Sequence, residues 1–111
     1  MTRIMYDEKN IVLEVTGHAG YGPHGADIVC AAVSILVQTL VKNLIKFSDY
    51  GWDKLEYDLS AGDAYVHCKT NGYFSLVVEM FRFTMEGLKM LAEEYPKHIK
   101  IDEGGNEDGT V

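Results

Sequence analysis

The chain alternates between two hydrophobic rhythms. "TRIMY" and "IVLEVTG" are short apolar-rich runs divided by the polar "DEKN". In the second run Ile11, Leu13 and Val15 alternate with Val12, Glu14 and Thr16, the period of two that marks a strand. From Asp27 to about Phe47 the rhythm becomes helical. Ser34, Gln38, Lys42 and Lys46 fall every four residues and nearly everything between them is apolar. A helix apolar around most of its circumference is buried on several sides, which predicts a central helix, a subunit interface, or both. "SDYG" ends it, and Trp52 opens a strand and reads as a packing rather than a binding residue. In "WDKLEYDL", Leu55, Tyr57 and Leu59 alternate with polar residues. "SAGD" turns the chain, and "AYVHCKT" alternates again, which predicts a hairpin. Asn71 caps a second helix running to about Tyr95. Its polar positions Ser75, Glu79, Arg82, Glu86, Lys89 and Glu93 step by four and three. Pro96 stops that helix, and "HIKI" supplies a last short strand.

The order ββαββαβ predicts an α+β fold, one small domain with two helices packed on a mixed sheet. At 111 residues and 47% hydrophobic content the chain suits one domain with one core. The domain is expected over residues 1–103, with 104–111 as an acidic, glycine-bearing mobile tail. The net charge of −7 and the lack of a Lys/Arg-rich run argue against direct nucleic-acid binding. No run of about 18 uncharged apolar residues is evident, so no membrane span is expected. "MTRIMYDEKN" lacks the apolar region of a signal peptide, which makes a cytoplasmic location the expectation.

The stretch "GHAGYGPHGADIVCAAVS" holds the candidate chemistry. Gly17, Gly20, Gly22 and Gly25 make a flexible loop that carries His18 and His24 and runs into the helix bearing Cys30. Asp27 is a preferred N-cap whose carboxylate can accept the N–H three residues on, that of Cys30. The sulfur then lies in the first turn, where unpaired amides and the helix dipole favour an anion. A free thiol has a pKa of about 8.5 and is only a few per cent thiolate at neutral pH. Making the thiolate dominant takes roughly 3 kcal/mol, of which a helix dipole supplies about 1. A neighbouring imidazolium is the natural source of the rest. Asp27 opposes the thiolate unless it instead orients a histidine. Three readings stay open on the residues alone. Cys30 is a small buried apolar side chain, or half of a thiol–imidazole pair with His18 or His24, or a metal ligand together with both. The wide spacing and missing fourth ligand disfavour metal, and no cofactor is expected. Cys68 lies on the apolar face of its strand and reads as core. His67 points to the opposite face and reads as solvated, and His98 as surface.

This stretch resembles the signature of the ribosomal-processing cysteine protease family, Prp. The signature is a Gly-His-Ala turn, a glycine-bearing loop, then Asp-Ile-Val-Cys-Ala-Ala-Val-Ser. The resemblance extends over about residues 1–103. It implies a cysteine endopeptidase with Cys30 as nucleophile, His18 as base, and Asp27 and Ser34 in supporting positions. His24 falls where the motif is looser and receives no role. It also implies, as substrate, the short N-terminal extension of the large-subunit ribosomal protein numbered twenty-seven, cut after a pair of aromatic residues, or a phage structural protein with a similar sequence. Family members form homodimers, which suits the apolar first helix. The alternatives are a non-catalytic module bound to a ribosome or capsid, and a small metal-binding protein.

Overall fold

A computed structural model describes residues 1–47, 54–60, 62–70 and 75–102. The elements are β1 (Thr2–Asp7), β2 (Val12–Thr16), α1 (Ile28–Lys46), β3 (Lys54–Ser60), β4 (Asp63–Lys69), α2 (Ser75–Glu94) and β5 (Ile99–Asp102), the order ββαββαβ. Trp52, "SDYG", the Asn71 cap and the acidic tail lie outside the described residues.

The five strands form one sheet in the order β3-β4-β2-β1-β5. Neighbours are antiparallel except β1 and β5, which run parallel, so the sheet is mixed. The register lines up Tyr6, Leu13 and Val66 across three strands, and Ile4, Val15 and Ala64 in the next row. These rows face the core, whereas Arg3, Glu14, Tyr65, His67 and Glu56 share the opposite face. Antiparallel strands with one solvated face read as clean alternation, which is why the period was visible.

The helices supply the second layer. α1 contributes Val29, Val33, Val37, Leu40, Val41 and Leu44 to the core, and α2 contributes Val77, Val78, Phe81, Met85 and Leu88. Tyr6 of β1 stacks on Phe81 of α2 with ring centroids 5.8 Å apart. α1 has the length and composition of a membrane span, contrary to the expectation from sequence. A core helix passes the same test, and its inner stripe lies in this core. Its outer side exposes Ile28, Ile35 and Ile45.

Ile11 departs from the strand predicted for it. It precedes β2 with φ 56°, a left-handed conformation costing a β-branched residue roughly 1–2 kcal/mol. Its side chain is buried, which recovers about 1.5–3 kcal/mol. Its carbonyl also accepts the Cys68 N–H at 3.1 Å.

Candidate active site

α1 begins where the sequence places it. Asp27 is the N-cap, with φ −90° and ψ 105°. Its Oδ1 accepts the N–H groups of Val29 at 2.9 Å and Cys30 at 3.0 Å. Its Oδ2 reaches back over the glycine-rich loop to accept Tyr21 N–H at 2.8 Å and Gly22 N–H at 3.1 Å. Burial pushes this carboxyl up, but the four backbone donors outweigh burial and hold it at about 2, against an ordinary 3.8. Asp27 therefore orients backbone rather than a histidine, and its negative charge is spread over four amides.

Cys30 is half-buried in the first turn, a free thiol packed beside the core. Its Sγ accepts a hydrogen bond from Ala19 N–H at 3.2 Å. The loop is tied at several further points. Gly17 N–H donates to Gly62 O at 2.8 Å, and Thr2 Oγ1 donates to Gly17 O at 3.0 Å. The ties bracket Gly20 and Gly25, both at positive φ.

His18 sits between two of these ties. Its ring lies over the turn joining β3 to β4, so close to Gly62 that a Cβ there would fall 2.6 Å from Nε2. Gly62 has φ 75°, so the turn selects glycine for its backbone and the imidazole selects it for space. The Thr16–Asp63 pairing between β2 and β4 brings this turn beside Gly17. The sequence marks Gly62 only as a turn glycine, because its partner lies 44 positions earlier in the chain.

Cys30 and His18 open into one cavity of about 560 Å³. Among the described residues no hydrogen bond joins the His18 ring to the sulfur, and both line the same space. Val15, Val33, Val37, Leu59 and Ala64 supply apolar lining. Ser34, one helical turn after Cys30, lines the cavity with Gln38, and Gly20, Gly22, His24 and Gly25 line it from the loop. His24 meets His18 edge to face, with centroids 6.2 Å apart. Among the described residues no three His, Cys, Asp or Glu side chains converge as a metal site requires; the set His18, His24 and Cys30 is not gathered.

The remaining candidates have places too. Cys68 is buried in the core. His67 is half-buried on the open sheet face, with Nδ1 3.3 Å from Tyr65 Oη and 3.6 Å from Glu56. His98 is half-buried and bonds to Ala19 O through Nδ1 at 2.9 Å, so it belongs to the surroundings of the site rather than to open surface. That contact joins residues 79 positions apart, a separation no local pattern reveals.

The geometry can support thiol chemistry. A half-buried sulfur in a helix's first turn faces a cavity shared with an imidazole, and a backbone N–H already points at it. Comparisons with known proteins agree. The sequence model of the cysteine protease Prp family matches residues 1–100. No curated protein sequence matches the chain. Among solved structures, the essential ribosomal processing protease Prp from S. aureus, in complex with a covalently linked product peptide, is 24% identical with TM-score 0.72, covering 92% of this chain and 96% of that one. The S. aureus protease in complex with a substrate peptide gives 21% identity, TM-score 0.68 and the same coverages. A protein from Streptococcus mutans is 29% identical with TM-score 0.66, covering 92% of this chain and 90% of that one. The first two share the fold of this chain. With a family match running from the first strand into the last, the chain belongs to the Prp family of cysteine proteases.

Proposed function

We propose that this protease removes the short N-terminal extension of the large-subunit ribosomal protein numbered twenty-seven, cutting after a pair of aromatic residues, with Cys30 as nucleophile and His18 as general base. The observation that carries the assignment is the cavity that Cys30 and His18 share. Its apolar lining from Val15, Val37 and Leu59 is of the kind that accepts aromatic side chains. The substrate class is supported by the motif "GHAGYGPHGADIVCAAVS" and by the likeness of fold to a ribosomal processing protease. A phage structural protein carrying the same cleavage sequence would be handled by the same cavity.

The reaction is acyl transfer through a thioester. His18 takes the Cys30 proton, which requires its ring to approach the sulfur once substrate fills the cavity; such bonds tighten on substrate binding. The sulfur attacks the scissile carbonyl, and His18 returns the proton to the leaving amine. Water then attacks the thioester and frees Cys30. The amides of Tyr21, Gly22, Val29 and Cys30 are held by Asp27. The Ala19 N–H, aimed at the sulfur, is the donor available for charge developing there. Asp27 supports the reaction by fixing loop and helix, and Ser34 by lining the cavity beside the nucleophile. The outer side of α1, with Ile28, Ile35 and Ile45 exposed, is the surface through which two copies would pair.

The test is incubation of the extended ribosomal protein with wild type, Cys30→Ala and His18→Ala, read by intact mass. Wild type should release the extension, and both variants should be silent while retaining wild-type circular dichroism. Cleavage by Cys30→Ala at the wild-type rate would overturn the nucleophile. An active thiol that leaves this substrate intact and cuts another would overturn only the substrate.

A further inference from the structure

We infer that His98 is a positioning residue for the reactive sulfur, acting through both ends of Ala19. The inference rests on Cys30 being the nucleophile. Ala19 donates its N–H to Cys30 Sγ at 3.2 Å, and its carbonyl oxygen lies 2.9 Å from His98 Nδ1. A carbonyl oxygen only accepts, so Nδ1 carries the hydrogen. One residue of loop is thus pinned between the helix that bears the sulfur and the turn that leads into β5.

The loop needs such a pin. Ala19 is 2% exposed, so water cannot satisfy its carbonyl, and an unpaired buried carbonyl is costly. It is flanked by Gly17 at φ 87° and by Gly20 at φ 70° with His18 between. With two glycines around it, this stretch does not choose its own conformation, and an outside partner must fix the direction of the Ala19 N–H. His98 is placed to do so because it is itself anchored. Its N–H donates to Tyr95 O at 2.9 Å, and its carbonyl accepts Thr2 N–H at 2.9 Å beside the parallel β1–β5 pairing. Tyr21 lies edge-on to the His98 ring at 5.3 Å and to Tyr95 at 5.2 Å. The sheet therefore sets His98, His98 sets Ala19, and Ala19 sets both the donor on the sulfur and the backbone next to His18.

Two substitutions separate this role from packing. His98→Phe keeps a ring beside Tyr21 and removes the donor. His98→Asn removes the ring and leaves an amide N–H near the position of Nδ1. The inference expects His98→Phe to lower kcat roughly 10- to 100-fold with KM within about threefold, and to slow iodoacetamide alkylation of Cys30 by a similar factor. It expects His98→Asn to stay within about fivefold of wild type in both measurements. A fully active His98→Phe, or a His98→Asn as impaired as His98→Phe, overturns it. Should either variant fail to fold, ¹⁵N NMR of the wild-type enzyme decides. Nδ1 protonated at neutral pH supports the inference, and a neutral ring protonated only at Nε2 overturns it. Alkylation and NMR need no peptide substrate, so they report on His98 even if the ribosomal assignment fails. If Cys30→Ala proves active, the nucleophile is refuted separately.

Discussion

Replacing Gly62 by alanine puts one methyl group between the β3–β4 turn and the His18 ring. Ordinary contact begins at 3.4 Å and the added carbon would stand 2.6 Å from Nε2, so the ring must retreat by about 0.8 Å, the difference between the two. Carbon atoms of the ring at 2.9 and 3.2 Å block a simple slide, so the imidazole has to rotate or lift. The backbone adds its own cost. Alanine at φ 75° loses roughly 1–2 kcal/mol relative to glycine, and each kcal/mol lowers Tm by about 4–8 °C in a domain near this size. Displacing a catalytic group by about 1 Å costs on the order of 100-fold in rate. Gly25 provides the control. It has φ 88° and open space where a Cβ would go, so Gly25→Ala carries the backbone cost without the collision. The assay is kcat/KM on a peptide spanning the cleavage junction, alongside thermal unfolding. Both variants should lose Tm through the backbone cost, Gly62→Ala at least as much as Gly25→Ala. Gly62→Ala should lose about 30- to 100-fold in kcat/KM, and Gly25→Ala at least tenfold less than that. Cleavage by Gly62→Ala within threefold of wild type, or equal losses in the two variants, would show that the position of His18 over Gly62 is irrelevant to turnover.

Asp27→Asn should destabilise in a pH-dependent way. The folded carboxyl is held at about 2 against an ordinary 3.8, so the stabilisation is complete above the ordinary value and disappears as pH falls through about 2. The Tm gap between wild type and variant should be open at neutral pH and close on acidification; a gap constant down to pH 2 would contradict the four-amide account. Phe81→Ala removes a fully buried ring stacked on Tyr6 and should cost about 3–5 kcal/mol by urea denaturation. A cost under about 1 kcal/mol would mean the two layers do not meet there. Ile35→Asp places a charge on the outer side of α1, where Ile35 is 61% exposed in the single chain. If two copies pair through that side, sedimentation should show wild type as a dimer and the variant as a monomer. A variant dimer as tight as wild type would move the interface elsewhere.

The sequence showed what is local. Strands with one wet face and one dry face declare themselves by alternation, and α2 by its polar stripe, so the order of elements was legible in the spacing of apolar residues. Asp27 was legible as a cap because an N-cap and the N–H donors it accepts from, Val29 and Cys30, lie within one turn. The other half of its work was not, since Tyr21 and Gly22 are reached backwards across a loop whose path glycines leave unspecified. Ile11 kept its place in the alternation, buried with Leu13 and Val15, but a tight connection bent it into a left-handed conformation just outside β2. Gly62 and His98 looked like a turn glycine and a surface histidine. Their partners, His18 and Ala19, are supplied by strand register and by the parallel return of β5, neither of which is written in a local pattern. Cys30 and His18 stood out together through the motif; their shared cavity needed the sheet and α1 placed against each other.

The two oxygens of Asp27 join segments that would otherwise order separately. Peeling the loop off costs the carboxylate two partners and loosens the first coil of α1, so opening of the cleft and loosening of the thiol's seat belong to one equilibrium. In hydrogen exchange the amides of residues 21, 22, 29 and 30 would then open as a single cooperative unit. A ligand that clamps the loop from outside would thereby also harden the seat of the sulfur without touching it.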